Sequence, residues 1–368
     1  MKKIQNSTII IVFFFVIFLI NFYFLNNKVS INNRVLNIIL LILNCVFCLF
    51  IVTLIHELSH QIVAIILGMN LSIFVSYPFI ISKRRERWKI NINFGNKFKY
   101  LGFIIPNIAL IKDKEDYSLN VMKVAITTIA GPISSLLFLI LCSLIPVYSG
   151  NFASIIRIFI IISLLLVVSS LFYGDGPMFL LLLINKEYAI KSLLSMNNYS
   201  SNYFRNLYLY EYANNKCEEI DIKNENQNRS YQFEIQSYII YNHILHGMVI
   251  HNETVKKNIE WLLCSEIELN KLKPEIILYI HTVIVYLAVI KKDYNSGKEL
   301  YSKNFLQYEE ILKNHYLTQR TRYFLGYIDS FDRIIDILEN CFEYKISENK
   351  INIEKELLYR SNIRHINQ

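Results

Sequence analysis

Four stretches of this chain are too apolar, for too long, to be left facing water. Residues 8–25, 35–67, 122–147 and 153–184 each hold such a run, and crossing a bilayer takes roughly 20 apolar residues. A backbone inside hydrocarbon must satisfy its own polar groups, so these runs are expected to be helices. The first follows Met1, Lys2 and Lys3, as a signal peptide would, but Asn26, Asn27 and Lys28 come next instead of the small residues of a cleavage site. It is read as a retained anchor.

Charge is divided unevenly. The chain carries 38 Lys and Arg, 30 Asp and Glu, and a net charge of +8. Residues 1–184 hold 15 of the basic and 6 of the acidic residues, which leaves 23 and 24 in 185–368. The excess therefore belongs to the apolar half. The polar half is near neutral, which argues against nucleic acid as a partner. Residues 69–120 hold nine Lys and Arg, with the run KRRERWK at 83–89, whereas 26–34 hold two and 148–152 none. Basic loops stay on the cytoplasmic side, so this loop and both termini are expected in the cytoplasm of a multi-pass protein of a bacterial cell membrane.

The loop and the C-terminal half have their own patterns. WKININF at 88–94 alternates apolar and polar residues and KFKYLGF at 97–103 partly does, which predicts two strands in a hairpin about Gly95-Asn96. Residues 276–292 and 296–314 predict a pair of helices turning at 293–295, similar to a tetratricopeptide unit. Residues 214–230 are polar and Asn-rich and read as a loop. The fold class expected is an all-α polytopic membrane protein of about four transmembrane helices. To this are added a short cytoplasmic β-hairpin and a helical, TPR-like soluble domain. The divisions are 1–34, an anchor helix with a short external loop; 35–184, a membrane core; and 185–368, the helical domain.

The cysteines (Cys45, Cys48, Cys142, Cys217, Cys264, Cys341) show no disulfide framework and suit a reduced compartment. His243, His246 and His251 fall near one another in HILHGMVIH with no acid or cysteine beside them, as ordinary surface histidines do.

The second apolar run is different. TLIHELSHQIVAIILG, residues 53–68, carries His56, Glu57, Ser59 and His60. Each ionisable residue in a spanning helix costs roughly 2.5–3.5 kcal/mol, and such residues default to function. His56 and His60 are four apart, so a helix stacks both imidazoles on one face, within reach of one metal. Glu57 lies about 100° further round, beside the metal rather than on it, where it can take a proton from water. A catalytic zinc usually has three protein ligands and one open position. Asp175, in LFYGDGPMF at 171–179, is the candidate third ligand. It lies 22 residues into its span and His56 lies 21 into its own, so parallel helices would place them at one depth. Gly174 and Gly176 can open the helix there, and Pro177 can restart it. In IAGPISSLL, 129–137, Ala130, Gly131 and Pro132 allow close backbone approach. Gly131, Ser134 and Ser135 are candidate substrate-binding residues, against simple packing of a kinked helix.

His56-Glu57-x-x-His60 in one span, Ala130-Gly131-Pro132 in the next and Asp175-Gly176 in the one after resemble the three-helix core of the site-2 protease family of intramembrane zinc metallopeptidases (peptidase family M50-like). The resemblance covers roughly residues 35–184. It implies one Zn2+ per chain held by His56, His60 and Asp175, with Glu57 as the catalytic acid/base. It also implies a transmembrane or membrane-bound peptide substrate within the lipid bilayer. Ser135 stands where family members often carry a substrate-holding Asn, the Asn-x-x-Pro stretch before the Asp-Gly is replaced by VVSSLFYGDG, and no PDZ-like insertion is present. Two rivals remain: a non-catalytic zinc-binding scaffold or immunity-type protein acting through a protein partner of the helical domain, and a metal transporter, which would need more polar residues along its spans.

Overall fold

The computed structural model describes residues 34–76, 79–84, 87–92, 102–146, 151–219, 229–264, 274–308, 315–328, 330–340 and 348–366. The expected anchor over 8–25 and the Gly95-Asn96 turn lie outside them. The chain divides into two compact units, one of residues 1–107 and 121–184, the other of 108–120 and 185–368.

The first unit holds three of the long apolar helical stretches. Helix α1 is Arg34–Ile66. Helix α2 is Lys114–Leu144, with Pro132 inside it. It starts eight residues before the expected span, because Asp113 caps it. Asp116 N–H donates to Asp113 Oδ1 at 2.8 Å, and Glu115 and Asp116 lie in its first turn, where acids suit the positive end of the helix dipole. Helix α3 is Asn151–Tyr173 and α4 is Asp175–Ile184, separated by Gly174 alone. Large apolar side chains remain uncovered along these helices, among them Ile66 at 75%, Leu141 at 62% and Leu165 at 64% exposure. Such a surface in water would aggregate.

Four helical segments are long and apolar enough to cross a membrane, consistent with an integral membrane protein: Leu41–Ile66, Lys114–Leu144, Ile155–Ile184 and Pro274–Lys291. In the most apolar window of each, 22–39% of the residues are buried in the first three, against 61% in the fourth. The fourth is a core helix of the second unit by that measure.

Between α1 and α2 the sequence predicts a hairpin; the structure has a four-stranded antiparallel sheet. The strands are β1 (Asn70–Ser76), β2 (Phe79–Arg84), β3 (Arg87–Ile92) and β4 (Gly102–Asn107), in the order β3-β2-β1-β4. The described parts of the two segments expected to pair about Gly95-Asn96, 88–92 in β3 and 102–103 in β4, therefore sit at opposite edges of the described sheet. β3 pairs with β2, and β4 pairs with β1. Strand β1 was hidden because it is central. Ile73, Phe74, Val75 and Ser76 are all buried, and a strand covered on both faces shows no alternation. Pro106 sits in β4 opposite Leu71, as a residue without an N–H must, on an edge strand. Phe79 of β2 meets Phe50 of α1 with ring centroids 5.8 Å apart.

The second unit is helical. Its helices are α5 (Lys186–Asn197), α6 (Leu207–Glu219), α7 (Arg229–His246), α8 (Glu253–Cys264), α9 (Pro274–Tyr286), α10 (Tyr294–Phe305), α11 (Tyr316–Phe324), α12 (Phe331–Asn340) and α13 (Glu348–Ile366). Residues 214–219, expected in a loop, complete α6. Helix α9 runs on through a π turn at Leu287–Lys291 and stops at Lys292, whose φ of 59° is left-handed. Asp293 then caps α10 by accepting from Ser296 N–H. In the core, Arg320 donates to Glu354 at 3.0 Å, and Tyr316 O–H donates to the same carboxylate at 2.8 Å. Residues 108–120 fold with this unit: Ile111 N–H donates to Asn206 Oδ1 at 2.9 Å, and Tyr117 meets Tyr212 with centroids 4.5 Å apart.

Candidate metal centre

Helix α1 stacks His56 and His60 on one face, and both are buried, at 5% and 6% exposure. Their Nε2 atoms are 3.2 Å apart. The start of α4 brings Asp175 Oδ2 to 3.0 Å from His56 Nε2 and 3.5 Å from His60 Nε2. Among the described residues, this is the one group of His, Cys, Asp and Glu whose ligand atoms converge, within 4.8 Å of one another. The C-x-x-C and the three histidines of 243–251 form no such group there.

The three separations, 3.0, 3.2 and 3.5 Å, lie close to those around a tetrahedral metal. Ligand atoms at roughly 2.0–2.2 Å from a tetrahedral zinc stand about 3.3–3.6 Å from one another. Gly131 supplies a second test. A Cβ built on it would fall 2.6 Å from His56 Nε2 and closer still to His60 Nε2. The missing side chain leaves room where an ion would touch both imidazoles. Two imidazoles and a carboxylate, with no thiolate, are a donor set suited to zinc with a position left for water.

Helix α2 serves this site with three successive turns of one face. Residues 127, 131 and 135 are each four apart, hence stacked. The Thr127 carbonyl lies 2.7 Å from His60 Nδ1. Ser135 Oγ lies 2.8 Å from His56 Nδ1 and is itself buried at 1% exposure. Ser134 Oγ is 2.8 Å from Ser59 Oγ, and Ser59 donates to the His56 carbonyl at 2.6 Å. The hydroxyls expected to meet substrate are thus engaged by α1.

Glu57 is buried at 6% exposure. Its Oε2 makes no hydrogen bond among the described residues, which is costly for a buried carboxylate without a partner to come. Gly102, the first residue of β4, covers it so closely that a Cβ there would run into the Glu57 carboxylate. The break that frees Asp175 is equally tight. A Cβ on Gly176 would strike the Leu171 carbonyl oxygen, and Pro177 has no N–H to offer Tyr173. The Thr127 carbonyl and Gly102 escaped the sequence reading.

Comparison with protein-family models, with curated proteins and with solved structures finds no match to this chain.

Proposed function

We propose that the chain is an intramembrane zinc metalloprotease that hydrolyses peptide bonds in or near transmembrane segments of membrane-bound substrates. The observation that carries this reading is the convergence of His56, His60 and Asp175, beside a buried Glu57 with one oxygen unbonded, on helices apolar enough to cross a membrane. Structural zinc sites close all four positions with protein ligands, and catalytic ones leave one open.

A zinc ion held by His56, His60 and Asp175 would polarise a carbonyl and lower the pKa of water towards neutrality. The chain's own residues do the rest. Glu57 Oε2 takes the proton of the attacking water and returns it to the leaving amine nitrogen. Its burial keeps bulk water from competing for that proton. Strand β4 is an edge among the described residues and begins beside Glu57. An extended substrate backbone added to that edge would be held by main-chain hydrogen bonds, as in β-strand addition. The substrate helix unwinds to do so. The helical second unit, whose α9 and α10 resemble a tetratricopeptide pair, is the surface for a protein partner.

Glu57→Gln tests the reading. It keeps size and reach and removes basicity. The variant is expected to retain its zinc and lose cleavage by roughly 10²–10⁴-fold, the usual weight of general acid/base work. Cleavage by Glu57→Gln at the wild-type rate would sink the protease assignment. Full biological function without cleavage would leave a zinc-holding scaffold.

A further inference from the structure

We propose that Ser135 is the positioning residue of His56: it sets the affinity of the metal centre and takes no part in holding substrate. The inference rests on the zinc reading above. The two histidines are held differently. The partner of His60 Nδ1 is the Thr127 carbonyl at 2.7 Å, which only accepts. His60 must therefore carry a hydrogen on Nδ1, and in the neutral ring Nε2 then presents its lone pair to the centre. The partner of His56 Nδ1 is the Ser135 hydroxyl at 2.8 Å, which both accepts and donates.

That difference matters because His56 has two tasks. Its Nε2 lies 3.0 Å from Asp175 Oδ2; when it donates to the carboxylate, Nδ1 accepts from the Ser135 hydroxyl. When Nε2 is to present its lone pair to a metal, the hydrogen must sit on Nδ1, and the hydroxyl turns to accept it. A serine satisfies both arrangements with one rotation of its O–H. A carbonyl would satisfy only the second, and an alanine neither. Ser135 is 1% exposed, so no bulk water stands beside His56 Nδ1 in its place. Its neighbour Ser134 touches Ser59 and the Gly131 carbonyl instead, so the two adjacent hydroxyls act on different atoms of α1.

The test compares wild type, Ser135→Ala and Ser134→Ala, purified as full chains in detergent. Zinc affinity is read by competition with a chromophoric chelator, and the visible ligand-field spectrum is read after cobalt(II) loading. Partners that orient metal-bound histidines typically contribute 10–100-fold in metal affinity. Ser135→Ala is expected to bind zinc 10–100-fold more weakly and to show a shifted cobalt spectrum at saturation. Ser134→Ala is expected to match wild type in both. A loss of helix packing alone would move both variants alike and leave the cobalt bands in place. Equal affinity and spectrum in Ser135→Ala, or an equal loss in Ser134→Ala, would overturn the assignment to Ser135. A wild-type protein that takes up no zinc would instead overturn the metal reading beneath it.

Discussion

At the scale of single residues, the centre is defined as much by absent atoms as by present ones. Gly131→Ala adds one methyl where an ion would sit, yet alanine is the better helix former by about 1 kcal/mol. The added Cβ must push both buried imidazoles aside, and overpacking of this kind typically costs about 1–3 kcal/mol. The variant is expected to keep its helix, to be less stable by that order, and to contain no zinc on elemental analysis, whereas a full complement of zinc would mean that the ion binds elsewhere. His56→Ala, His60→Ala and Asp175→Ala should each lower the metal content as well, with full zinc in Asp175→Ala removing that residue from the site. The histidine pair was plain in the sequence because its geometry is local: four residues are one turn. Asp175 was legible only through the depth it shares with His56. Thr127 was not, because its contribution is a main-chain carbonyl, which every residue carries. Ser135 was visible, but its hydroxyl was expected to face a substrate and faces His56.

At the scale of elements, the helices that carry the site announce themselves by hydropathy, and the sheet does not. Strands β1 and β2 read NLSIFVS and FIISKR, with apolar residues in short runs rather than in alternation, and Ile73 to Ser76 of β1 are all buried. The hairpin turn at Gly95-Asn96 lies outside the described residues, and the described strands on either side of it find their partners earlier in the chain. The α3–α4 break gives an element-level prediction. Gly176→Ala must push the Leu171 carbonyl aside, and overpacking of this kind typically costs about 1–3 kcal/mol. The shift falls on Asp175, the next residue. Zinc affinity should fall in Gly176→Ala although no ligand has changed, and chelator competition measures it. Unaltered affinity would show that Asp175 is placed independently of the break.

At the scale of the whole molecule, two units of different character share one chain. The second is held by ordinary core physics, including the ion pair of Arg320 with Glu354, both nearly fully buried. Removing one partner strands a buried charge, so Glu354→Ala should destabilise this unit by about 3–5 kcal/mol. Urea unfolding followed by proteolysis of 185–368 measures that, and a change under 1 kcal/mol would contradict it. The orientation expected from the basic loop has its own check: a reporter after residue 368 should read cytoplasmic, and one within 148–152 external. The glycine in the AGP stretch has a genetic consequence. Every codon for glycine is one base away only from codons that keep glycine, add a Cβ or stop translation. A random screen for loss of function should therefore recover Gly131 as readily as the histidines. To such a screen, a position that contributes nothing but space will look like an active-site residue.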